Sequence, residues 1–382
     1  MEDLIFNTHS KVYCAFGSLK RLKEIVSTFG HRLLIVTEKS LDDSDAFKKI
    51  KDEIKKHDFD LITFAEITQD STTHTIEKAS EIARVSRIQA VIGFGGIRAL
   101  SAAKAIASAA SYTGNFYNIM SENPPELLPI PYIEISGTFR NPFMLSPDFI
   151  LPDARNGSLQ VVSIKNSAPA AIIIDPSLFM DISRQYKIAT LMDIFLEAVE
   201  GFFSKRSNFI SDMLFLKTIS MIVNLLPAIL EDPDNPENLL SAAKAGFSAA
   251  LGLTISTTGL GTACAAEISK QFGVSRAITA TILLPYILEY GLRACPEKVA
   301  RMGPILGEDI SGLSIISAAD RVIESLRLSI GIQNLPVRLS DLGIKKGSLI
   351  SVAEQVNKLS MINFLPSQIT VEDIYTILKD AL

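Results

Sequence analysis

The feature that most constrains the fold of this chain is a change of residue pattern near Asp175-Pro176. Before this point, short runs of β-branched residues at 33–37, 61–64 and 90–93 alternate with segments of helical spacing. Strands that alternate with helices are typical of an α/β domain built on a parallel sheet. After this point the strand pattern disappears, and the remaining segments are helical.

The helical segments lie on both sides of this change. They are 45–57, 75–85, 99–110, 188–203, 211–230, 239–251, segments within 262–293, 312–330, 347–359 and 371–381. Residues 131–175, with several Pro, Gly and Asn turns, are predicted to form extended segments and hairpins. A chain of 382 residues can bury two cores. The sequence therefore predicts an α/β, dinucleotide-binding-like domain with a parallel sheet at 1–176 and an all-α domain at 177–382.

The net charge, the cysteines and the first residues of the chain indicate which binding partners and which compartment to expect. The formal net charge of −5 gives no electrostatic reason to expect nucleic acid or an anionic membrane as a partner. Cys14, Cys264 and Cys295 are an odd number without CxxC spacing, which favours a reducing compartment over a disulfide framework or a cysteine zinc site. The first residues contain neither a basic leader nor an apolar segment of the secretory type. We therefore expect a cytoplasmic protein that binds a small molecule.

One long stretch, 245–266, carries no charged side chain over a length that would span a bilayer. It is rich in Gly, Ser, Thr and Ala, and it lacks the flanking aromatic residues and the Lys/Arg asymmetry of a membrane span. The predicted structure is a buried helix, or a pair of helices whose backbones approach closely. No membrane is expected as a partner.

A glycine turn follows the strand predicted at 90–93. The chain passes through Gly95 and Gly96 into an Ala-rich helix, whose N-terminus would supply N–H donors to a pyrophosphate. Glu38 follows the strand at 33–37, where an acid accepts hydrogen bonds from a ribose diol and disfavours the phosphate of NADP. A tight strand-to-helix turn and a solvated loop acid explain the same residues, so both interpretations stay open.

Four longer motifs resemble those of the iron-containing (group III) alcohol dehydrogenases, whose superfamily includes glycerol dehydrogenases and dehydroquinate synthases. They are the family's DP-x-L junction at 171–178, its ATGMDALTHAIE helix at 189–200, its LLP motif at 282–285 and its C-terminal ending at 363–382. The resemblance implies a dehydroquinate synthase-like fold, in which a dinucleotide-binding domain precedes a helical domain and the active site lies in the cleft between them. It also implies NAD(H) as the candidate cofactor and a homo-oligomer.

The cofactor positions depart from the family pattern. The family's GGGSxxDxAK motif aligns with residues 95–104, where a β-branched residue replaces the third glycine, Arg98 the phosphate-binding serine and Ser101 the aspartate. Of the family's TAGTGSE loop, only Gly137 and Thr138 agree. The candidate cofactor-binding residues are Glu38, Gly95, Gly96, Arg98 and Thr138.

The metal positions depart further. The family usually holds its metal with one aspartate and three histidines, whereas all four histidines of this chain lie in its first 74 residues. Asp193 stands at the position of the aspartate, whereas the histidine positions are taken by Glu197, by Thr262 or Cys264, and by Arg276. A guanidinium never deprotonates and cannot bind a metal cation. Asp193, Glu197 and Cys264 offer the ligands of a poorer site, but Arg276 beside them would repel a cation. No ordinary Fe or Zn binding is therefore expected at the family's site, and weak metal binding by these three residues stays open.

Arg276 is predicted to replace the metal electrostatically. Asp193 and Glu197 have i,i+4 spacing, which places both carboxylates on one helix face. A guanidinium can pair with carboxylates through two parallel hydrogen bonds. We therefore expect Arg276 to lie within salt-bridge distance of one of them, and we take these three as the candidate catalytic residues. An incidental surface arginine is the alternative.

Two classes of function stay open, so the sequence leaves undecided whether the protein is an enzyme. In the first, it is a divergent NAD(P)-dependent oxidoreductase of the alcohol dehydrogenase type, in which Arg276 polarises the oxygen of a small alcohol or aldehyde in place of the metal. In the second, it is a non-catalytic relative with a binding or structural role. Arg98, Arg140 and Arg276 would then hold an anionic metabolite in the cleft, although scattered surface arginines explain the same pattern.

Overall fold

The protein forms two compact units, which divide after Asp181. The structure is a computed structural model that describes residues 10–121, 124–331 and 335–382. His9, one of the four histidines, lies outside the described residues. The division lies close to the change of pattern at Asp175-Pro176, and each unit has the composition of secondary structure that the sequence predicts.

The first unit is built on a parallel sheet of six strands in the order β1-β8-β5-β4-β2-β3. Its strands and helices are β1 Lys11–Cys14, α1 Leu22–Ser27, β2 Arg32–Glu38, α2 Asp45–Lys55, β3 Asp60–Ile67, α3 Thr73–Val85, β4 Ala90–Gly95, α4 Ile97–Ala109, β5 Tyr132–Ser136, β6 Asp148–Pro152, β7 Leu159–Ser163 and β8 Ala171–Ile174. All residues of β4 and β5 are buried. Strands buried on both faces have continuous apolar runs, which explains why 90–93 is recognisable in the sequence.

The helices of the first unit follow from local signals. The side chain of Ser44 accepts a hydrogen bond from the backbone N–H of Phe47 and so begins α2. Phe47, Ile50 and Ile54 then recur at helical spacing and are buried. Helix α4 is different, because small side chains allow almost all of it to be buried against the sheet and the β6–β7 hairpin.

The prediction for 131–175 is correct in part. Strands β6 and β7 form an antiparallel hairpin, as expected. Strands β5 and β8, however, belong to the parallel sheet, and β8 pairs with both β1 and β5. Strand β1 at 11–14 is not predicted from the sequence, because this short edge strand lacks a run of β-branched residues.

The second unit is helical, and its described part contains no strand. Its helices are α5 Arg184–Phe203, α6 Phe209–Glu231, α7 Pro236–Leu253, α8 Leu260–Phe272, α9 Arg276–Ala294, α10 Pro296–Ala300, α11 Ile315–Gly331, α12 Leu349–Val356 and α13 Val371–Asp380. Helix α5 is buried from Lys187 to Phe203 and packs against α6, α7, α8 and α9, so it is the central helix of the unit. Helix α13 confirms the segment predicted at 371–381, and it begins after Thr370, whose side chain and that of Asp373 form a reciprocal capping box.

The uncharged stretch at 245–266 is a pair of helices, which confirms the prediction. Helix α7 ends at Leu253 and α8 begins at Leu260. The ring of Phe215 on α6 packs onto Gly252, where a Cβ would lie 2.6 Å from it. The expected close approach of the two helix backbones stays a prediction. Helix α6 itself is long and apolar enough to span a membrane. Its buried side chains pack against α5 and α7, and core helices give the same composition.

Candidate functional site

The glycine turn lies at the carboxyl end of β4. Gly95 has a φ of +135°, a conformation that L side chains rarely adopt. The N–H of Gly137, which follows β5, donates to the carbonyl of Gly95 at 2.9 Å. A Cβ at Gly137 would lie 2.7 Å from the Cα of Gly95, so a side chain at 137 would collide with backbone. The ends of β4 and β5 thus form one tightly packed edge, where open α/β sheets bind ligands.

Helix α4 presents its N-terminus at the same edge. Gly96 is its N-cap residue, and no side chain caps the helix. The side chain of Glu38 lies close by, with Oε1 3.6 Å from the position of a Cβ at Gly96. The free N–H groups of a helix N-terminus next to a glycine backbone can bind a phosphate, and a neighbouring carboxylate can accept hydrogen bonds from a ribose diol. The structure therefore brings Glu38, Gly95 and Gly96 together in an arrangement that fits a dinucleotide.

The two other candidate cofactor residues lie nearby in the chain. Arg98 is exposed on the first turn of α4. Thr138 follows Gly137, and its hydroxyl accepts a hydrogen bond from the N–H of Arg140 at 3.3 Å. Arg140 is buried, with 6% of its surface exposed. The expectation that Arg98, Arg140 and Arg276 together hold an anionic metabolite stays a prediction.

A buried polar network lies beneath this edge, and the sequence analysis assigns it no role. Lys104 of α4 is 1% exposed, and its Nζ donates to the carbonyls of Phe143, Ser146 and Asp148 at 2.7, 2.8 and 3.0 Å. Glu134 of β5 is fully buried. Burial raises the pKa of Glu134 to about 7 and lowers that of Lys104 to about 8, although each charge opposes the shift of the other.

The second unit carries the predicted acids on α5. Asp193 and Glu197 lie one turn apart on this helix, and each is 1% exposed. Arg276 is the first residue of α9, whose N-cap Ser275 accepts a hydrogen bond from the N–H of Ile278. The Nη1 of Arg276 lies 3.8 Å from Asp193 Oδ2, and its Nη2 lies 3.7 Å from Glu197 Oε1. The expected salt-bridge contact is therefore present, with both carboxylates.

The geometry of this cluster differs from the expected bidentate pair. Both distances are within ion-pair range but exceed a hydrogen bond, which needs about 3.2 Å or less. Arg276 Nε is buried and has no hydrogen-bond partner among the described residues. The side chain of Arg276 is 18% exposed, so it is not an incidental surface arginine. We call Asp193, Glu197 and Arg276 the acid–arginine cluster.

The other two ligand candidates lie on α8. Thr262 donates its backbone N–H to Glu200 of α5, and Cys264 is fully buried. Burial raises the pKa of the Cys264 thiol well above its ordinary value, so the thiolate that a metal requires is disfavoured. Among the residues that the structure describes, no three or more His, Cys, Asp or Glu side chains are grouped to hold a metal. The residues present at the family's ligand positions do not fit a divalent cation.

Glu200 organises the start of α8, a role that the sequence analysis does not assign. Its carboxylate accepts a hydrogen bond from Gly259 N–H at 3.0 Å and further ones from the N–H groups of Gly261 and Thr262. Burial nevertheless raises the pKa of Glu200 to about 7, against the effect of these donors. The only signal in the sequence is that Glu200 ends the helix motif at 189–200.

The chain matches family models over nearly all of its length. Residues 9–176 match the model described as iron-containing alcohol dehydrogenase, and residues 187–382 match that of the C-terminal region of the Fe-containing alcohol dehydrogenase family. Among curated relatives, the chain is 24% identical to the NAD-dependent methanol dehydrogenase of Bacillus methanolicus, over 95% of this chain and 94% of the relative. It is 25% identical to the 1,3-propanediol dehydrogenase of Citrobacter freundii, over 86% of each chain.

Solved structures show the same fold. A 1,3-propanediol oxidoreductase superposes with a TM-score of 0.91 at 22% identity, covering 99% of this chain and 100% of the other. An alcohol dehydrogenase from Oenococcus oeni superposes with a TM-score of 0.92 at 23% identity, covering 100% of both chains. These similarities confirm the predicted fold class of an α/β unit followed by a helical unit.

Proposed function

The chain belongs to the iron-containing alcohol dehydrogenase family, and from this we propose that it is an NAD(P)-dependent oxidoreductase that interconverts a small alcohol and its carbonyl product without a divalent metal. The observation that carries the metal-free part is the acid–arginine cluster, because Arg276 is within 3.8 Å of both acids. A fixed guanidinium charge stands where the family places its last metal ligand.

The proposed cofactor is NAD(H), which accepts or returns the hydride when bound. The uncapped N-terminus of α4 with Gly96, and the carboxylate of Glu38 beside it, support a pyrophosphate and a ribose diol respectively. An acid at that position favours NAD over NADP. The name of the methanol dehydrogenase relative, which is NAD-dependent, agrees with this choice.

The two acids leave hydrogen-bonding capacity of the Arg276 guanidinium unused. Its Nε has no hydrogen-bond partner among the described residues, and both Nη atoms lie beyond hydrogen-bond distance of the acids. For alcohol oxidation, Asp193 or Glu197 would accept the proton of the substrate hydroxyl, and NAD, when bound, would supply the acceptor for the hydride. The guanidinium stabilises the negative charge that develops on the substrate oxygen, as an oxyanion-hole donor does.

Substitution of Arg276 tests this role. We expect Arg276→Ala to lower kcat by about 100-fold or more, the effect of removing one oxyanion donor. Arg276→Lys, the matched control, keeps the charge and is expected to retain more activity than Arg276→Ala. Elemental analysis of the purified wild-type protein, with and without added Zn²⁺ or Fe²⁺, is expected to show no stoichiometric metal. Full activity of Arg276→Ala, or activity that requires one metal per chain, would contradict the proposal.

A non-catalytic binding protein is the second candidate. It is favoured by the first turn of α4, where Ile97 and the exposed Arg98 replace the glycine and serine of the family pattern. The chain has no Trp, so the emission of bound NADH is measurable with little background. Saturable NADH binding supports the oxidoreductase, and absence of binding at millimolar NADH and NADPH favours the second candidate. Cytoplasmic location, a small-molecule partner and a homo-oligomer stay predictions.

A further inference from the structure

The segment 137–148 joins β5 to β6 and lies directly on the glycine turn. Its first residue donates to Gly95, and no side chain fits at that contact. Thr138, a candidate cofactor residue, is the next residue of the segment. Any displacement of the segment therefore changes the edge at which we place the nucleotide.

Lys104 holds the far end of this segment to α4. Its ammonium donates to three carbonyls, those of Phe143, Ser146 and Asp148, all at 3.0 Å or less. Three donors and three acceptors satisfy the ammonium completely. Because Lys104 lies on the helix that begins at the glycine turn, it connects the segment to the element that would bind the phosphates.

Glu134 holds the near end of the segment to the sheet. Its Oε1 accepts from the Nδ2 of Asn141 at 2.8 Å, and the Oδ1 of Asn141 in turn accepts from the N–H of Phe143 at 3.0 Å. A carboxylate that accepts from an amide makes a stronger hydrogen bond than a neutral carboxylic acid does. The hold of Glu134 on the segment is therefore strongest when Glu134 is ionised.

Tyr132 links the ionisation of Glu134 to a hydrogen bond with α4. Its hydroxyl lies 3.3 Å from Glu134 Oε2 and 3.2 Å from the carbonyl oxygen of Leu100. It has one proton to donate. An ionised Glu134 competes for that proton, whereas a protonated Glu134 donates to the Tyr132 oxygen and leaves the hydroxyl proton for Leu100. The network thus has two hydrogen-bond arrangements, one for each state of Glu134.

Few charged groups of the described residues shift the pKa of Glu134. Among the described residues these are Lys104 of α4 and, through its hydroxyl, Tyr132 of the same strand. The residues that pair with Glu134 on the neighbouring strands, Gly93 of β4 and Ile172 of β8, do not ionise. The negative charge of Asp148 on β6 raises the pKa of Lys104, against the effect of burial. Because burial lowers the pKa of Lys104 to about 8, its ionisation overlaps that of Glu134 above neutrality, and the ionisation of Glu134 is followed below that range.

We propose that Lys104 and Glu134 are positioning residues of the nucleotide site, which hold segment 137–148 against the glycine turn and make nucleotide affinity depend on the ionisation of Glu134. The inference rests on the proposed function, since it requires a nucleotide at this edge. Ionised Glu134 gives the tight arrangement, so nucleotide affinity falls as the pH drops below neutrality.

The experiment is a titration of NADH emission between pH 5.5 and pH 7.5, where Lys104 stays mostly protonated. In the wild-type protein we expect NADH to bind about three- to tenfold more weakly at pH 6 than at pH 7.5, the difference between a charged and a neutral hydrogen bond. Glu134→Gln keeps the size and the acceptor but cannot ionise, so its profile is expected to be flat and weak. Asn141→Ala, which cuts the link to the segment, is expected to behave in the same way.

The controls separate this role from general stability. Glu267→Gln removes another acid that is 1% exposed, on α8, and is expected to leave the pH profile of NADH affinity unchanged. Lys104→Met is expected to weaken NADH binding at every pH. If this variant does not fold, Glu134→Gln and Asn141→Ala still test the positioning role. Parallel profiles for wild type and Glu134→Gln overturn the positioning role and leave the proposed function intact. No binding of NADH or NADPH by the wild type at any pH overturns both.

Discussion

Replacement of Arg276 by methionine tests the electrostatic argument for the acid–arginine cluster on stability alone. Methionine fills a similar volume but carries no charge. In the wild type, the guanidinium nitrogens lie 3.7 and 3.8 Å from two acids that are each 2% exposed in their side chains. At an effective dielectric constant near 20, an attraction over this distance is worth about 4 kcal/mol for each pair before desolvation is subtracted.

The net cost of the change is smaller than the sum of these attractions. Removing one partner of a buried ion pair destabilises a protein by about 3–5 kcal/mol, since charge is left without compensation. Arg276 is 18% exposed, which places our expectation near the lower limit, at about 3 kcal/mol. The measurement is urea unfolding followed by far-UV circular dichroism at neutral pH, with the free energy of unfolding extrapolated to water. Urea is preferred because it does not screen charges.

A neutral variant provides the matched control. Asp193→Asn and Glu197→Gln, combined with Arg276→Met, remove all three charges with little change of shape. If uncompensated charge is the cause, this triple variant is expected to recover at least half of the stability lost by Arg276→Met. A loss below about 0.5 kcal/mol for Arg276→Met, the size of an ordinary surface substitution, would refute the reasoning. So would a triple variant that is no more stable than the single one.

Two further predictions concern the first unit. The pKa of Glu134 is about 7 in the folded protein against an ordinary value of 4.5, so the folded state holds the proton more tightly and its stability falls as the pH rises from 4.5 through 7. The stability of the wild type relative to Glu134→Gln is expected to fall by about 3 kcal/mol over this range in urea unfolding, and parallel curves would contradict it. Gly137→Ala places a Cβ 2.7 Å from the Cα of Gly95, and we expect it to cost about 2 kcal/mol and to weaken NADH binding. Gly347→Ala, where nothing lies within 4 Å of the new Cβ, is its control, and equal losses would refute the steric argument.

Local sequence signals were sufficient for most helices and for the central strands. Helix α5 was predicted at 188–203 because its motif is long and periodic, and the structure places it at Arg184–Phe203. The parallel pairing of β5 with β4 and β8 was not predicted. These strands are short and buried on both faces, so their pattern does not distinguish a sheet strand from a hairpin strand. The pairing of strands depends on how the whole unit packs, and a local sequence pattern does not contain this information.

The two parts of the site differ in how far the sequence reveals them. A contact of Arg276 with Asp193 or Glu197 was expected, because a resemblance aligned all three with the positions of one metal centre. The contact of Lys104 and Glu134 with segment 137–148 was not expected, because neither residue was assigned a role. Two signals were available: Lys104 matches the last residue of the family's GGGSxxDxAK motif, and Glu134 is a single acid in the apolar run of β5. A buried acid requires a compensating partner, and this requirement identifies it as a residue to examine.

The net charge of the acid–arginine cluster bears on how the proposed oxidoreductase would work. A divalent metal with one aspartate carries a net charge of +1, whereas one guanidinium with two ionised carboxylates carries −1. The cluster therefore stabilises a developing alkoxide less than a metal does, and it retains carboxylates that accept a proton. The proposed oxidoreductase therefore needs both parts of the cluster, the guanidinium for the charge on the substrate oxygen and a carboxylate for its proton. Loss of catalysis on removal of either part is thus what this arrangement predicts.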